Sequence, residues 1–187
     1  MNYIELMVEE HRNIKRMLTV IRKYCYKVLR NEELDYRDFF ALIDFVRNYA
    51  DKHHHGKEEK LLFDRMIKEL GPIGEKLVKH GMLVEHDLGR LHIQELETAV
   101  HKMIGGDDEA RLDIIASAIA YTNLLHRHID KEDNVVFQFA QKNLAKEVQD
   151  TLERECTQYE KAAGIDKVQK KYLDMITEFE EKCKIVF

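Results

Sequence analysis

Apolar side chains recur at steps of three and four residues along most of the chain. The first such stripe runs through residues 2–30 and is followed by a polar run from Asn31 to Asp35. Because an α-helix repeats every 3.6 residues, this spacing places the apolar positions on one helix face. The polar run predicts where the first helix ends. The inward positions of this stripe are Ile4, Met7, Val8, His11, Ile14, Leu18, Ile21 and Cys25.

Three further amphipathic segments follow the first one. They predict helices over residues 36–70, 73–104 and 108–143, separated by Gly71-Pro72 and by a turn at residues 105–108. A helix of about 30 residues is about 45 Å long, and short connections make neighbouring helices antiparallel. We therefore predict an all-α fold, an up-down-up-down four-helix bundle. The inward positions are Phe39, Ile43, Val46, Ala50, His54, Leu61 and Ile67, then Leu83, His86, Ile93 and Leu96 or Glu97, and finally Ile114, Ala118, Tyr121, Leu125, His128, Glu132 and Val135.

The remaining tail also has helical periodicity, with an interruption predicted at Ala163-Gly164. We therefore expect a four-helix bundle over residues 1–143 and a helical extension over residues 144–187. The extension would pack on the bundle or on a partner subunit, and a homodimer through helical faces is one expected assembly. Its apolar positions are Leu152, Cys156, Tyr159, Leu173, Ile176 and Phe179.

Composition narrows the class of protein. The 187 residues carry a net charge of -5 and form no basic cluster, which argues against a nucleic-acid surface. No long apolar run is present at the N-terminus or elsewhere, so neither a secretory signal nor a membrane span is expected. The three cysteines, Cys25, Cys156 and Cys183, form no Cys-x-x-Cys pair. Free buried thiols and a cytoplasmic location are the corresponding expectations.

The two halves of the predicted bundle repeat each other. Glu10-His11 recurs as Glu85-His86 75 residues later, and residues 54–63 recur as residues 128–137 74 residues later. Two helical hairpins related by a pseudo-twofold axis explain this repeat. That symmetry would bring four histidines and two glutamates to one level of the bundle.

The repeated side chains suit a pair of metal ions. His54 with Glu58, and His128 with Glu132, are four residues apart, so each pair lies on one helix face. A buried histidine and glutamate on one face are costly unless they are paired or bound to metal. A purely polar network is the alternative to a metal site. Imidazole and carboxylate ligands fit iron, manganese or zinc, and bridging carboxylates would leave positions for an exogenous molecule.

Several neighbouring polar residues leave alternatives open. His55 with Glu59 and His126 with Asp130 are rival pairs, but the apolar stripe favours His54. His53, His55 and His126 are then expected at the surface or behind the ligands, and His80, His92 and His101 are expected to be partly solvated. Tyr121 is either a core tyrosine or a hydrogen-bond donor to a ligand. Glu10 and Glu85 either lie on a solvated face or lead protons or cations toward the site.

These residues resemble the motifs of the hemerythrin-like, or HHE cation-binding, domain family. The motifs are EH at 10–11, HHxKEExxLF at 54–63, EHDxGR at 85–90 and HIxKEDxxxF at 128–137. The resemblance implies a non-haem di-iron centre with two iron ions and a bridging oxo or hydroxo group, with manganese and zinc as alternatives. The ligands it implies are His11, His54, Glu58, His86, His128 and Glu132.

One departure from the oxygen-carrying members affects the expected function. Those proteins have a second histidine four residues after the ligand of the third helix, where this chain has Arg90. A four-His, two-carboxylate site is therefore expected, similar to the iron–sulfur repair and iron-sensing branches. Two functions stay open, namely binding or sensing of a diatomic ligand such as oxygen or nitric oxide, and an enzyme or iron donor in nitrosative or oxidative stress defence. A ferritin-like iron oxidase is disfavoured, because no Glu is followed three residues later by His.

Overall fold

Six long helices make up nearly all of the computed structural model. It describes residues 2–165 and 167–185, with only the backbone of Ile165; Met1, Asp166, Val186 and Phe187 lie outside the described residues. The helices are α1 (Tyr3–Leu29), α2 (residues 38–69), α3 (residues 71–104), α4 (residues 110–143), α5 (Lys146–Ile165) and α6 (Val168–Cys183).

Three of these helices contain π-helical segments, in which a turn holds more residues than in an α-helix. In α2 they are Val46–His55 and Glu58–Phe63, in α3 Val78–Met82, and in α4 Glu132–Val136. The rest of α2 is α-helical over Asp38–Phe45 and Asp64–Glu69, the rest of α3 over Gly71–Leu77 and Leu83–Ile104, and the rest of α4 over Ala110–Lys131 and Phe137–Asn143. Such segments are rare and are frequently found at functional sites.

The predicted helix boundaries agree with the structure to within about two residues for the bundle. The Asn2 side chain caps α1 by accepting a hydrogen bond from the Glu5 backbone N–H, and the Glu5 carboxylate accepts one from the Asn2 backbone N–H. Between α2 and α3, Gly71 adopts a φ of 59°, and Pro72 follows inside the first turn of α3. In the tail, the interruption predicted at Ala163-Gly164 lies slightly later, because α5 continues to Ile165 and α6 begins at Val168.

The apolar core is divided into two clusters along the bundle. One contains Ile14, Leu18, Ile43, Ile93 and Leu125 with their neighbours, and the other lies beyond it along the same helices. In each bundle helix, the polar residues of the repeat lie where the members of one cluster give way to those of the other. The second cluster includes Tyr3, Met7, Leu62, Phe63, Met66, Val136, Phe137 and Ala140, with Leu152 and Cys156 from α5.

The two C-terminal helices pack on the first hairpin of the bundle. Arg16 of α1 donates two hydrogen bonds to Glu180 of α6, at 2.8 and 2.7 Å. The ring of Phe179 lies 5.7 Å from that of Tyr24. The division into residues 1–143 and 144–187 stays a prediction, but α5 and α6 contact α1 and α2 of this same chain.

One predicted core residue of α4 is on the wrong face. Val135 is 54% exposed, whereas Val136 is 1% exposed. The expectation assumed a period of 3.6 residues, but residues 132–136 form a π-helical segment. The inward series after His128 and Glu132 therefore continues at residue 136.

The expectations for a membrane span and for the cysteines can be compared with the structure. No helix in the described ranges is long and apolar enough to cross a bilayer. Cys25 and Cys156 are buried free thiols, and Cys183 is a free thiol that is only partly buried.

Glycine substitutions test the packing of α3. A Cβ atom at Gly74 would lie 2.2 Å from the Met66 carbonyl oxygen, whereas a Cβ at Gly81 meets nothing within 4 Å. We expect Gly74→Ala to lower the free energy of unfolding by about 1–3 kcal/mol through overpacking. Gly81→Ala should raise it by about 0.5–1 kcal/mol, because alanine favours the helix. Urea unfolding measures both, and equal effects of the two substitutions would contradict the packing at Gly74.

Candidate metal centre

The six predicted ligands lie together between the two apolar clusters. Four helices contribute them, with His11 from α1, His54 and Glu58 from α2, His86 from α3, and the remaining pair from α4. Each of the six residues is at most 1% exposed. The sequence repeat therefore corresponds to a real convergence of side chains in the fold.

The two glutamates lie between the histidines. A Glu58 oxygen is 3.4 Å from His54 Nε2, and its other oxygen is 3.7 Å from His86 Nε2. One oxygen of Glu132 is 3.3 Å from His11 Nε2 and 3.2 Å from His128 Nε2. Each carboxylate is thus close to histidines from both halves of the chain, which is the arrangement needed to bridge two ions.

The inner atoms form two groups that could each hold a cation. One atom each from His11, His54, Glu58 and Glu132 lies within 4.8 Å of the others. A second group meets the same criterion, and it consists of His55, His86 and His128.

Carboxylates outside the centre orient all four predicted histidine ligands. Nδ1 of His11 lies 2.7 Å from Asp133, and Nδ1 of His54 lies 2.8 Å from Glu10. If each Nδ1 donates to its carboxylate, each neutral ring keeps an Nε2 lone pair facing the centre. The corresponding distances are 2.7 Å from His86 Nδ1 to Glu59 and 2.9 Å from His128 Nδ1 to Glu85.

The inner acceptors lack partners, and this is the main argument that metal fits the site. Within the described ranges, Nε2 of His11 and of His54 and both oxygens of Glu58 and Glu132 are buried without a hydrogen bond. Nε2 of His86 and Nε2 of His128 face each other at 3.1 Å. Unpaired buried acceptors are costly, so their convergence requires positive charge. Divalent cations that accept nitrogen and oxygen ligands satisfy the whole set.

The protonation pattern reflects the same shortage of positive charge. Burial lowers the pKa of His128, but contacts with Glu132 and Glu85 outweigh it and raise the pKa to about 10. Burial likewise lowers the pKa of His11, and the neighbouring carboxylates of Asp133 and Glu132 raise it to about 9. Burial and the neighbouring Glu132 raise the pKa of Glu58 well above its usual range. Protons on the ligands thus stand in for a cation, and metal binding would displace them.

The carboxylates that contact the histidine ligands, with the lysines bound to those carboxylates, follow the sequence repeat; we call them the support. Glu10 in the first half and Glu85 in the second each bind the histidine of the following His-x-x-x-Glu pair. Lys57 donates to Glu10 at 2.6 Å, and Lys131 donates to Glu85 in the same way. The motif Glu-His followed by His-x-x-Lys-Glu-Glu/Asp is therefore explained by two interlocked sets of ligands and supports.

Two expectations for Glu10 and Glu85 are thereby revised. A solvated face is wrong for Glu10, which is 1% exposed, while the Glu85 side chain is 17% exposed. Burial raises the pKa of Glu10, but hydrogen bonds from His53 and His54 hold it well below its usual range. Both residues orient a histidine on another helix. Local spacing does not reveal which histidine each glutamate contacts, although the recurrence of a glutamate before His11 and before His86 indicated that it has a role in both halves.

The two halves differ in what covers the support. Lys57 is fully buried, and Glu160 of α5 accepts a second ion-pair contact from it. His53 Nε2 lies 3.1 Å from Glu10 and 3.2 Å from Glu160. The side chain of Lys131 is instead 50% exposed. The C-terminal helices therefore enclose the support of one half and leave the other open to water.

His55 was expected at the surface or behind the ligands, but it lies beside the centre, against His86. It is 5% exposed, and its ring lies parallel to that of His86, with centroids 3.8 Å apart. The π-helical segment Val46–His55 ends at this residue, so adjacent positions there do not follow α-helical spacing. His53 is also buried, in the support, whereas His126 is exposed. Of the rival partners, Glu59 supports His86 and Asp130 binds Lys15.

Comparison with known proteins assigns most of the chain to one family model. The model for the hemerythrin HHE cation binding domain matches residues 2–140. Searches of curated proteins and of solved structures give no significant match. The match covers the four bundle helices nearly to the end of α4, and α5 and α6 lie beyond it.

The two lysines of the support provide a matched test. In the metal-free protein, Lys57→Met leaves the buried Glu10 and the partly buried Glu160 without their lysine, and we expect the free energy of unfolding to fall by about 3–5 kcal/mol. Lys131→Met removes the equivalent, half-exposed lysine and should cost less than about 1 kcal/mol. Urea unfolding measures both variants. Equal losses would show that burial by α5 does not strengthen the support.

Proposed function

We propose that this chain, which belongs to the hemerythrin HHE cation-binding domain family, is a non-haem di-iron protein that binds or senses a small diatomic ligand. Oxygen and nitric oxide are the candidate ligands, at an open iron position. The observation that carries the proposal is the convergence of unpartnered buried acceptors from four helices. The ligands in this proposal are His11, His54, Glu58, His86, His128 and Glu132.

The residues divide the work of holding two ions. His11 and His54 would hold one ion, His86 and His128 would hold the other, and Glu58 and Glu132 would bridge them. Imidazole and carboxylate ligands suit iron, with manganese and zinc as the alternatives that metal analysis distinguishes. Iron supplies the reversible binding of a diatomic ligand. The carboxylates behind the histidines fix each ring and strengthen it as a ligand.

Open positions follow from the number of ligands. Non-haem iron bound by a few imidazole and carboxylate ligands keeps coordination positions open. Four imidazoles and two carboxylates shared between two ions would not fill both of them. Positions therefore remain for a small exogenous molecule.

A second candidate is an enzyme or iron donor in nitrosative or oxidative stress defence. The observation that favours it is a polar route from the centre toward solvent. His128 contacts Glu85 at 2.9 Å, and Glu85 pairs with the half-exposed Lys131. Reduction of nitric oxide or peroxide requires proton delivery, and a short chain of this kind could provide it.

Metal stoichiometry tests the ligand assignment. Iron-loaded protein should contain about two ions per chain, and His54→Ala and His128→Ala should each lower that number, because each variant removes one ligand. His126→Ala, at an exposed histidine, is the matched control and should keep the full stoichiometry. Metal analysis after gel filtration measures the content. Full loading of both His54→Ala and His128→Ala would refute the ligand assignment.

The response to gas separates the two functions. Anaerobically reduced, iron-loaded protein should show a reversible absorption change with oxygen or nitric oxide, since a ligand at an open position perturbs the iron spectrum. Irreversible oxidation with loss of metal would exclude reversible oxygen binding. Catalytic turnover of nitric oxide or peroxide would instead support the enzyme.

A further inference from the structure

A small pocket reaches the predicted centre from one side only of its histidine set. Its volume is about 110 Å³, and His55 and His86 are the centre's residues that line it. Of the six predicted ligands only His86 lines it, so the pocket reaches the centre beside His86. The remaining walls include Val46, Gly89, Ile93 and Tyr121, with Arg90 beside them.

We propose that this pocket admits the exogenous ligand to the ion held by His86 and His128, and that the Tyr121 hydroxyl donates a hydrogen bond to that ligand. This inference rests on the proposed function, because it requires an ion at that position. It adds which of the two ions is accessible, by which route, and which residue other than a metal ligand contacts the bound molecule.

Tyr121 supports the proposal through a hydroxyl that lacks a partner. The residue is 2% exposed, and among the described residues its oxygen has no hydrogen bond. Buried tyrosine hydroxyls usually find a partner, and leaving one unpaired is costly. Burial raises the pKa of Tyr121 above its usual value, so the phenol keeps its proton at neutral pH. A ligand with an acceptor atom in the pocket would satisfy this donor.

His55 forms a wall of the pocket. An imidazole that binds an ion through Nε2 lies in a plane containing that ion. The rings of His55 and His86 are within 8° of parallel and stacked at 3.8 Å, so their planes do not meet at one ion. His55 therefore leaves a position open on the ion beside His86, although one of its nitrogens lies in the same cluster.

Arg90 fixes the rim of the pocket. It donates to Asp51 at 3.0 and 2.7 Å and to Glu59 at 2.7 Å. Asp51 lies 3.4 Å from His55 Nδ1, and Glu59 supports His86. One guanidinium thus holds the carboxylates behind both histidines of the pocket, and its charge is balanced by them.

The size and lining define the chemistry of the ligand. A volume of about 110 Å³ admits a molecule of a few heavy atoms. Val46 and Ile93 make two walls apolar, and Tyr121 offers a donor. The pocket therefore suits a diatomic or triatomic molecule with a terminal acceptor atom, and azide is the experimental probe.

Azide titration of the iron-loaded, oxidised chain tests the hydrogen bond. The readouts are the absorption of the azide complex and the iron content of each variant. Tyr121→Phe should weaken azide binding by about three- to tenfold with two irons retained, the loss expected for one hydrogen bond. Tyr3→Phe is the matched control. It also removes a buried hydroxyl without a partner in the described structure, but from the second apolar cluster, and should leave azide affinity unchanged.

A pair of glycines on α3 tests the route. A Cβ at Gly89 would lie 3.5 Å from Leu125 and from the Tyr121 ring, so alanine fits there but narrows the pocket. Gly89→Ala should weaken azide binding at least threefold without lowering thermal stability. Gly81→Ala adds the same methyl group in open space and should have no effect on azide.

Each outcome bears on a separate claim. Absence of azide binding in the wild-type chain with two irons present would count against the proposed function itself. Azide binding that is equally strong in Tyr121→Phe and Gly89→Ala would overturn the inference and leave the proposed function intact. Weakening by Gly89→Ala alone would keep the route and reject the hydrogen bond, and weakening by Tyr121→Phe alone would reject the route.

Discussion

The rest of the structure depends on a layer of buried imidazole and carboxylate groups, most of which have no hydrogen-bond donor among the described side chains. Imidazole nitrogens and carboxylate oxygens from four helices face one another at 3.1 to 3.9 Å in the middle of the bundle. Without a cation this layer opposes folding, because most of its inner atoms have lost water and gained no partner. Apolar packing above and below the layer holds it in place, and the supporting carboxylates prevent the rings from turning away. The bundle is therefore built to hold a charge that the protein itself does not supply.

The internal repeat accounts for most of this arrangement, and the differences between its two copies determine how the surroundings of the layer differ. Each half contributes ligands to the shared layer and supports for the ligands of both halves. The copies then diverge at their edges. Lys57 is enclosed by α5, whereas Lys131 reaches water, and Arg90 occupies a place in the second half that Lys15 occupies in the first. The two metal positions that we propose are thus alike in the side chains around them and unlike in their surroundings.

Much of the fold and of the candidate site could be predicted from the sequence, for physical reasons. Helical periodicity located four bundle helices, and the repeat identified six side chains that do converge. The misplaced Val135 and His55 share an origin in the π-helical segments, which shift residues away from α-helical spacing. The roles of Glu10 and Glu85 were also beyond local spacing, because each depends on a histidine from another helix.

The division of the apolar core has a consequence for how the molecule unfolds. The two clusters are separated by the polar layer, so little apolar contact joins one end of the bundle to the other. Cooperativity between the ends must then pass through the helices and through whatever cross-links the layer. A cation there would cross-link the four helices, so that the two ends of the bundle unfold together. Without it the ends become separate units of local opening, and amide hydrogen exchange near Phe63 and Phe137 becomes uncoupled from exchange near Ile21 and Ile114.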